Sequence, residues 1–458
     1  MIDNFLEKKI AILGYGVNNQ ALLAWLILHG ARDITICDKN EKLSNKIDKK
    51  FLNIKFNLGE KYLDSLKKFD IVFRTPGISY LHPKIQEAKK QGVLISSQTK
   101  LFFQLCKAKI IGITGTKGKG TTSTLIWKML KDYNESHVYL AGNIGADPFE
   151  FIDKLTENDW VVLELSSFQL HDLDISPYIA VVLNITSDHL DYHKDTEEYI
   201  NAKTNIVRHQ QERNYIVVNN DYLTSFRFAE MSKGECWYFS RKKMVDQGAY
   251  VRWVNDNLGN RSGEIILKTL KEDFIIAQTD DIKLVGEHNL ENICAAITAS
   301  YLAGVPVEII KKVVKDFRGL NMRLELVHEE NGVKFYNDSA STNPDTTIAA
   351  IKSFSAPIIL IAGGSSKGAN YKMLGEEISK KNIKAVLLMG KTGPEIENNI
   401  TNSQINITQV ESLEQSINIV RNNVKSGDVV VFSPASASFD MFRDYKHRGE
   451  EFNKLVRK

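Results

Sequence analysis

Residues 110–122 read IIGITGTKGKGTT, and they constrain the fold more than any other part of the sequence. The stretch opens with an apolar strand and continues into the glycine-rich turn Gly115–Gly120. A helix is predicted next, over Thr122–Asp132, from apolar residues at helical spacing. Backbone N–H groups of such a turn and helix N-terminus point at a bound anion, to which a lysine adds positive charge. The order of strand, turn and helix therefore predicts a loop that binds phosphate.

Each residue type in this loop has a separate part in holding phosphate. Gly115, Gly118 and Gly120 let the backbone approach closely, and Lys119 would reach the terminal phosphates. The spacing is shorter than that of the usual P-loop, so a tight turn with a solvated lysine is the alternative. Gly120 stands where a hydroxyl residue normally contacts Mg²⁺. The next available hydroxyl belongs to Thr121, but a side chain one residue further along a helix points about 100° away from the preceding position. The predicted loop residues are Gly115, Thr116, Lys117, Gly118, Lys119, Gly120, Thr121 and Thr122.

The first hundred residues alternate between short apolar strands and helices, which predicts a doubly wound α/β unit with a parallel sheet. The first strand ends at Gly14-Tyr15-Gly16, a helix follows through Ala21–His29, and a second strand ends in Asp38. From these residues alone, a dinucleotide site with Asp38 on the ribose is the first interpretation. The signal is weak because Asn19 replaces the third glycine of the dinucleotide pattern.

Two further α/β units are predicted downstream. In the second unit, the strands Trp160–Glu164 and Ala180–Asn184 follow the phosphate loop, and residues 215–284 resemble an antiparallel addition to the same domain. In the third unit, strands run into loops of small or polar residues, where open α/β sheets bind their ligands. The predicted fold is three α/β domains, with boundaries at 1–107, 108–319 and 320–458.

Composition narrows the classes of partner and compartment. The 458 residues are 43% hydrophobic and 25% charged, which is typical of a globular protein. A net charge of +3 gives no electrostatic case for nucleic acid as a partner. Four widely spaced cysteines argue against a disulfide framework or a structural zinc site and fit a reducing cytosol. The N-terminus lacks a secretory signal and no apolar run approaches a membrane span, so we expect a cytoplasmic monomer without membrane association.

Beyond the phosphate loop, a series of short motifs follows in a fixed order along the chain. They are Gly142-Asn143-Ile144-Gly145, Glu164-Leu165-Ser166-Ser167-Phe168-Gln169, Asn184-Ile185-Thr186-Ser187-Asp188-His189, Asn201-Ala202-Lys203, His288-Asn289-Leu290-Glu291-Asn292, Arg323, Asn337-Asp338-Ser339 and Ser433-Pro434-Ala435-Ser436-Ala437-Ser438-Phe439-Asp440. Together they resemble the Mur ligase family of peptidoglycan precursor synthesis, and the resemblance covers nearly the whole chain. Within that family, the branch that adds D-glutamate to UDP-N-acetylmuramoyl-L-alanine is the most similar.

The resemblance implies an ATP-dependent ligase with a Rossmann-like N-terminal domain, a central P-loop ATPase domain of the Mur ligase type and a Rossmann-like C-terminal domain. These would bind the UDP part of the substrate, ATP and the amino acid, respectively. Members of the family transfer the γ-phosphate of ATP to a substrate carboxylate, and an amine then attacks the acyl phosphate. Because two anions must approach each other, metal ions and cations should matter more than acid–base groups. The expected cofactors are ATP and Mg²⁺, the latter at two sites.

Four side chains are expected to carry the chemistry, namely Lys119, Glu164, His189 and Lys203. Glu164 ends an apolar strand, where a carboxylate is well placed to bind Mg²⁺, with a surface acid as the alternative. By resemblance His189 binds a second metal ion, although a lone histidine is more often structural. The lysine that matches Lys203 is carbamylated in the family, which requires a neutral amine and therefore a pKa below the usual value of about 10.4. The predicted metal site comprises Thr121, Glu164, His189 and carbamylated Lys203.

The remaining site residues are carried over from the family, and each alone could be ordinary loop polarity. Further contacts to ATP are expected from Asn289, Asn292, Arg323 and Asp338. The UDP substrate would contact Gly14, Gly16, Asp38, Thr75, Pro76, Gly77, Asn143 and Gln169, which replaces the dinucleotide interpretation of the N-terminal turn. The incoming glutamate would contact Thr342, Lys367, Ser438, Phe439 and Tyr445.

Three departures from the family pattern keep alternatives open. Gly120 lacks the usual hydroxyl, Ala340 stands where the D-glutamate branch usually has lysine, and Asp191-Tyr192-His193 is more familiar in other Mur ligases. A related branch that adds L-glutamate also lacks the lysine, so L-glutamate is the second candidate. Folylpolyglutamate synthase shares the central and third domains but lacks the N-terminal unit. A nucleotide-gated binding protein with a degraded site is the alternative from another class.

Overall fold

A computed structural model describes residues 5–47, 54–189, 192–255, 261–366 and 368–458. The chain divides into two compact units. The first comprises Met1–Gln278 with Glu291–Val313, and the second comprises Thr279–Leu290 with Val314–Lys458. Among the described residues, no helix is both long enough and apolar enough to cross a bilayer.

The first unit begins with a parallel sheet of five strands. The strands are β1 (Lys9–Leu13), β2 (Asp33–Asp38), β3 (Lys55–Leu58), β4 (Ile71–Arg74) and β5 (Leu94–Ser97), and the helices are α1 (Val17–Leu28), α2 (Pro83–Lys90) and α3 (Gln98–Leu105). Their spatial order is β3-β2-β1-β4-β5, and every pairing is parallel. The chain changes direction across the sheet between β1 and β4, and such a switch point opens a crevice for ligands at the carboxyl ends. The predicted doubly wound sheet is confirmed.

A second sheet of nine strands completes the first unit. Its strands are β6 (Lys109–Thr114), β7 (Val138–Gly142), β8 (Trp160–Glu164), β9 (Ile179–Val182), β10 (Tyr215–Asn219), β11 (Glu235–Ser240), β12 (Gly248–Asn255), β13 (Arg261–Lys268) and β14 (Asp273–Gln278). The helices of this part of the chain are α4 (Lys119–Tyr133), α5 (Ser167–Leu170), α6 (Thr196–Arg208), α7 (Leu223–Phe226), α8 (His288–Leu302) and α9 (Val307–Asp316). The spatial order is β14-β13-β12-β11-β10-β9-β6-β8-β7, which puts the strand that feeds the phosphate loop between β8 and β9.

The antiparallel addition predicted for residues 215–284 is only partly correct. β10 and β11 extend the sheet in parallel, and β12 also joins β11 in parallel. Only β12, β13 and β14 pair antiparallel with one another. The apolar run of β10 is buried and that of β11 is partly buried, and a buried parallel strand gives no alternation from which its direction could be read.

The second unit contains a mixed sheet of six strands. The strands are β15 (Glu325–Glu330), β16 (Val333–Asn337), β17 (Ile358–Gly363), β18 (Ile383–Met389), β19 (Asn406–Val410) and β20 (Val429–Phe432), and the helices are α10 (Pro344–Lys352), α11 (Lys372–Lys380), α12 (Gly393–Glu397), α13 (Leu413–Asn423) and α14 (Tyr445–Val456). The order is β15-β16-β20-β17-β18-β19. Only the edge pair β15–β16 is antiparallel, so the carboxyl ends of the central strands face one edge. Separate apolar clusters cover the two faces of this sheet.

Candidate active site

The phosphate loop connects β6 to α4 and is held by contacts on two sides. Thr116 N donates to Asn184 O at 2.8 Å, and Thr116 Oγ1 lies 3.0 Å from the hydroxyl oxygen of Tyr199. The Lys119 ammonium folds back over the loop and donates to the carbonyl oxygens of Gly115 and Thr116 at 3.0 and 3.1 Å. The loop therefore combines a helix N-terminus with a lysine, which is the arrangement that an anion site requires.

The start of α4 depends on one glycine. Gly118 is the N-cap of the helix and has a φ of +86°. A Cβ atom at this position would lie 2.1 Å from Asn292 Oδ1. Thr122 is buried and its Oγ1 donates to the same Asn292 oxygen at 3.4 Å, whereas Thr121 is only half-buried. Asn292 thus packs against Gly118 and Thr122 at the start of α4. Of the hydroxyl groups of Thr121 and Thr122, that of Thr121 is the more accessible.

Lys203 lies in α6 with its side chain completely withdrawn from water. Its Nζ donates to Thr114 Oγ1 at 3.2 Å and to Gly115 O at 3.1 Å, and it lies 4.8 Å from the ring centre of Tyr199. Burial lowers the pKa of Lys203 well below its usual value, and the Lys119 charge lowers it further. The opposing carboxylates, of which Glu164 is one, do not reverse this shift. The site therefore favours the neutral amine that carbamylation requires.

The donors around Lys203 fit a divalent cation. Glu164 ends β8 with 7% of its surface exposed. Asn184 Oδ1 is buried and has no hydrogen-bond partner within the part of the chain described. His189 is about half exposed, its φ is +53° and its Nε2 lies 3.7 Å from Asp188 Oδ2. Carboxylate and amide oxygens are the ligands that Mg²⁺ prefers, and a strained backbone at a histidine is typical of functional sites.

The first sheet brings the N-terminal turn against the loop after β4. Gly14 has a φ of +79°, and a Cβ atom on it would lie 2.4 Å from Thr75 Cγ2. Asp38 accepts from the backbone N–H groups of Tyr15 and Asn40, both at 2.8 Å. The predicted residues Gly14, Gly16, Asp38, Thr75, Pro76 and Gly77 therefore lie around one crevice, at the switch point of this sheet.

Arg74 is a residue of this region that the sequence analysis missed. It ends β4, is fully buried, and donates to Asp172 Oδ1 at 2.8 Å. It also donates to the carbonyl oxygens of Ile78 at 2.8 Å and Phe168 at 3.1 Å. Arg74 thereby ties the loop after β4 to the start of α5. A charged residue at the end of an otherwise apolar strand, directly before Thr75, was the signal that could have revealed it.

Asn143 and Gln169, both predicted to contact the UDP substrate, differ in accessibility. Asn143 follows β7 and is exposed, with its backbone N–H bonded to Glu164 O at 3.3 Å. Gln169 is 2% exposed, and its Oε1 accepts from Ser166 N and Ser166 Oγ in a capping box at the start of α5. Gln169 therefore has a local structural role that the motif did not reveal, and only its amide nitrogen is available for other contacts.

In the second unit, Asp338 follows β16 and is almost completely buried. Burial raises its pKa to about 6, against the opposing effect of its hydrogen bonds. Its Oδ2 accepts from the hydroxyl groups of Ser341 at 2.6 Å and Ser433 at 2.7 Å, and its Oδ1 accepts from Leu324 N at 3.1 Å. Asp338 thus holds together three loops at the carboxyl edge of the sheet. Arg323, also predicted to contact ATP, is exposed.

The predicted glutamate residues lie on loops of the same sheet edge. Ser438 is buried, Thr342 is half-buried, and Phe439 and Tyr445 are 67% and 39% exposed. Arg448 of α14, which the sequence analysis missed, donates to Ser339 O at 2.9 Å, Ser436 O at 3.0 Å and Ala437 O at 3.2 Å. It organises the backbone of both loops, and no local sequence signal predicted this. Asn289, predicted to contact ATP, starts α8 and donates from its side chain to Val285 O at 2.7 Å.

Two predictions fall outside the described residues. Lys367 was assigned to the glutamate site, and Asp191 belongs to the Asp191-Tyr192-His193 departure. Both stay predictions from the sequence.

Three family models match the chain in order. They are the "MurD-like, N-terminal domain" of Mur ligases over residues 8–97, the "Mur ligase middle domain" over 113–300 and the "Mur ligase, glutamate ligase domain" over 322–436. The first and third segments contain the five-stranded and six-stranded sheets, and the second contains the nine-stranded sheet except for most of β6.

Among curated proteins, two similar relatives are named UDP-N-acetylmuramoylalanine–D-glutamate ligase. The one from Acetivibrio thermocellus is 44% identical, and the one from Ruminiclostridium cellulolyticum is 39% identical. Both alignments cover 98% of this chain and 96% of the relative. Among solved structures, a MurF from Acinetobacter baumannii has a TM-score of 0.60 at 17% identity, and covers 98% of this chain and 90% of its own. The MurF ligase of Thermotoga maritima in complex with ADP has a TM-score of 0.55 at 19% identity, with 98% and 93% covered. At such identities, these structures support the fold alone.

Proposed function

The chain belongs to the Mur ligase family, and we propose that it joins D-glutamate to UDP-N-acetylmuramoyl-L-alanine with hydrolysis of ATP to ADP and phosphate. The observation that carries this proposal is the 44% identity to a D-glutamate ligase over nearly the full length of both chains. The reaction belongs to peptidoglycan precursor synthesis. UDP-N-acetylmuramoyl-L-alanine and glutamate are the small-molecule substrates, and the compartment of this pathway is the cytoplasm.

The geometry of the first unit supports the phosphoryl-transfer half of the reaction. Lys119 and the N-terminus of α4 supply positive charge and N–H donors to an anion, as the γ-phosphate requires. Mg²⁺ bound near Glu164 would add the charge that neutralises the phosphates. Lys203, held as a neutral amine by burial, supports carbamylation, after which its carboxylate-like group would orient such an ion. We propose a second metal position at His189.

The remaining site residues serve binding and orientation in this proposal. The crevice around Asp38 and Thr75 would hold the uridine diphosphate, and Asn143 would lie along the sugar path. Asp338 and Arg323 would contribute to ATP binding, and Thr342, Ser438 and Tyr445 would hold the glutamate. Catalysis then consists mainly of positioning two anions and neutralising their charge, with acid–base groups of lesser weight.

A phosphate-release assay tests the proposal directly. Full-length protein is mixed with ATP, Mg²⁺ and UDP-N-acetylmuramoyl-L-alanine, and each glutamate enantiomer is added in turn. We expect rapid release with D-glutamate and a product heavier by one glutamyl residue in mass spectrometry. Release with neither enantiomer would contradict a ligase for this substrate, and release without product would indicate uncoupled hydrolysis.

Lys119→Ala is the matching control for the phosphate site. Loss of one charge-stabilising donor typically lowers turnover by about 10²–10³-fold, so we expect at least this decrease with little change in thermal stability. Lys107→Ala, an exposed lysine shortly before β6 and outside the predicted loop, should keep most of the activity. Equal activity of the Lys119 variant and the parent would remove Lys119 from the site.

L-glutamate is the second candidate amino acid, because Ala340 replaces the lysine that is usual in the D-glutamate branch. The name D-glutamate ligase, which the relatives at 44% and 39% identity carry, favours assignment of the D enantiomer. The same assay distinguishes the two enantiomers. A higher kcat/KM for L-glutamate than for D-glutamate would reverse the assignment. A folylpolyglutamate synthase is disfavoured by the match of residues 8–97 to an N-terminal domain of Mur ligases.

A further inference from the structure

Three side chains near α5 and α6 converge on one point beside the phosphate site. His193 Nδ1 lies 2.6 Å from Glu198 Oε2, and His171 Nε2 lies 2.9 Å from Glu198 Oε1. One donor atom from each residue lies within 4.8 Å of the other two. His171 follows α5, His193 lies in the turn before α6, and Glu198 is in the first turn of α6. The cluster therefore joins two chain segments, the residue after α5 and the start of α6, in which His193 and Glu198 are only five residues apart.

His193 is buried and its two partners are largely shielded from solvent, which separates the cluster from the acidic groups common on protein surfaces. The side chain of His193 is 0% exposed, that of His171 is 9% and that of Glu198 is 16%. Among the described residues, Glu198 Oε1 and His171 Nδ1 are buried and have no hydrogen-bond partner. The short distance between His171 Nε2 and Glu198 Oε1 is thus a contact without the alignment of a hydrogen bond. A buried carboxylate oxygen in this state is costly unless another group satisfies it.

The second ring nitrogen of His193, Nε2, has a hydrogen-bond partner, as is usual for a histidine that binds a metal ion through its other nitrogen. His193 Nε2 lies 2.8 Å from Ser167 Oγ, which is buried. At 2.6 Å from the Glu198 carboxylate, Nδ1 carries the proton and donates to Oε2. When a cation binds Nδ1, the proton moves to Nε2, which then donates to Ser167 Oγ. Metal-bound histidines are held in one tautomer by such a bond on the other nitrogen. Phe168 stacks on the His193 ring with an angle of 17° and fixes its plane.

We propose that His171, His193 and Glu198 form a binding site for one zinc ion, distinct from the Mg²⁺ site. Two imidazole nitrogens and one carboxylate are a recurrent zinc ligand set, and solvent can supply a fourth ligand. Imidazole favours zinc over Mg²⁺, which prefers an all-oxygen shell. The ion would satisfy Glu198 Oε1 and link the end of α5 to the start of α6.

Nearby charges are compatible with a cation here. Arg74, whose charge contributes to the lowered pKa of His171, is paired with Asp172 at 2.8 Å in a buried ion pair. Its charge is therefore largely balanced before an ion arrives. The site contains no cysteine, so the cysteine spacing that argued against structural zinc could not reveal it.

Zinc binding by the full-length chain tests the proposal. The protein is stripped with a chelator and titrated with Zn²⁺ in excess Mg²⁺, with a chromophoric zinc indicator as competitor. Co²⁺ is titrated in parallel, because tetrahedral Co²⁺ has a strong visible absorption. We expect one zinc equivalent that Glu198→Gln or His171→Asn weakens by roughly 10-fold or more, the least that loss of a ligand should cost. The Co²⁺ spectrum should disappear in the same variants.

His137→Gln is the matched control. His137 also bonds a buried carboxylate, Asp159, at 2.6 Å, but no third donor is grouped with that pair among the described residues. This variant should keep the zinc equivalent, and Zn²⁺ should raise the thermal unfolding temperature of the parent but not of Glu198→Gln. Equal zinc affinity in parent and both cluster variants would overturn the proposal. If Glu198→Gln does not fold, the comparison of His171→Asn with His137→Gln decides.

Discussion

Folding removes the Lys203 side chain from water, and this change governs its chemistry. An ammonium in such a place is held only by Thr114 Oγ1 and Gly115 O among its hydrogen-bond acceptors in the described chain. Both are neutral, so they do not offset the desolvation of a charge. The neutral amine that results can react with carbon dioxide at a pH where an exposed lysine stays protonated. The side chain is therefore suited to carbamylation by its position and not by its type.

Lys203→Ala should abolish most ligase activity, and a small carboxylic acid such as acetate or formate should restore part of it. The physical reason is that the acid can occupy the space of the missing carbamate and supply its negative charge. Phosphate release is measured with and without added acid, and for the parent with and without bicarbonate. Lys128→Ala, an exposed lysine of α4, should respond to neither. Absence of rescue together with no bicarbonate dependence in the parent would contradict carbamylation.

Burial also favours the neutral form of Asp338, which is an acid and not a base. Its folded-state pKa is raised to about 6 from the ordinary 3.8, so the folded protein binds a proton more tightly than the unfolded chain. Stability is therefore highest below the ordinary pKa and falls as pH rises through the window from about 4 to about 6. A pKa that is raised by about two units corresponds to about 3 kcal/mol of folding stability at most.

Asp338→Asn should remove this decline, because the amide does not titrate. The urea midpoint is measured for parent and variant at several pH values between 4 and 7, and the difference between them should narrow as pH rises. Asp444→Asn serves as a control, because Asp444 is exposed, its pKa is lowered and its contribution runs in the other direction. Parallel pH curves for parent and Asp338→Asn would show that the carboxyl group titrates normally.

At the level of elements, the N-terminus of α4 is determined by the backbone of one residue. Gly118 turns the chain from the loop into the helix with a positive φ, and Asn292 of α8 fills the space where a side chain would be. The helix consequently begins at Lys119, three residues before the Thr122 predicted from apolar periodicity. Polar and glycine residues at a helix start carry no periodic signal, so periodicity alone could not place the first turn.

Gly118→Ala should weaken ATP binding more than it destabilises the fold. Gly92 offers a matched control, since it has a similar φ of +90° but no atom within 4 Å of the position that a Cβ atom would take. Both substitutions carry the cost of a left-handed residue, about 1–2 kcal/mol, whereas only Gly118→Ala displaces Asn292. We expect similar losses of thermal stability, with a raised KM for ATP in the Gly118 variant alone. Equal KM values would mean that the loop accommodates the methyl group.

On the scale of the whole molecule, the first two sheets form one unit because they share a core. Trp25 of α1 contacts Phe149 at 5.2 Å between ring centres, and its indole N–H bonds Asp153 at 3.0 Å. Phe102 of α3 packs against Phe149 and Phe151 at 6.4 and 6.3 Å. The buried cluster continues across both sheets. The crevice of the first sheet and the phosphate loop of the second are therefore held by one continuous packed body.

Arg74 is the polar counterpart of this shared core. Removing it leaves Asp172 buried without its cation, which typically costs about 3–5 kcal/mol, and releases the loop after β4. Arg74→Gln should lower the thermal unfolding temperature and raise KM for the UDP substrate while KM for ATP stays constant. Lys384→Gln, which breaks the Lys384–Asp428 pair of the other unit, should leave both KM values unchanged. An Arg74 variant with both KM values raised equally would indicate general loss of structure.

Local order along the chain was sufficient to predict most of the strands and helices and the three α/β sheets, while phosphate binding by the loop stays a prediction. Strand, turn and helix signals act over a few residues, so they survive without knowledge of the fold. The motifs added the family, and with it a set of site residues. Their spatial grouping was available only as an expectation, because contacts between distant segments depend on how the sheets pack.

Tertiary structure alone decided the protonation of Lys203 and Asp338, the buried links made by Arg74 and Arg448, and the cluster of His171, His193 and Glu198. Each depends on desolvation or on partners from other segments, which no short window of sequence contains. The parallel pairing of β10 and β11 belongs to the same class, since a buried strand takes its direction from its neighbours. The phosphate loop was predicted from its residues alone, whereas the lowered pKa of Lys203 follows from the burial of its side chain.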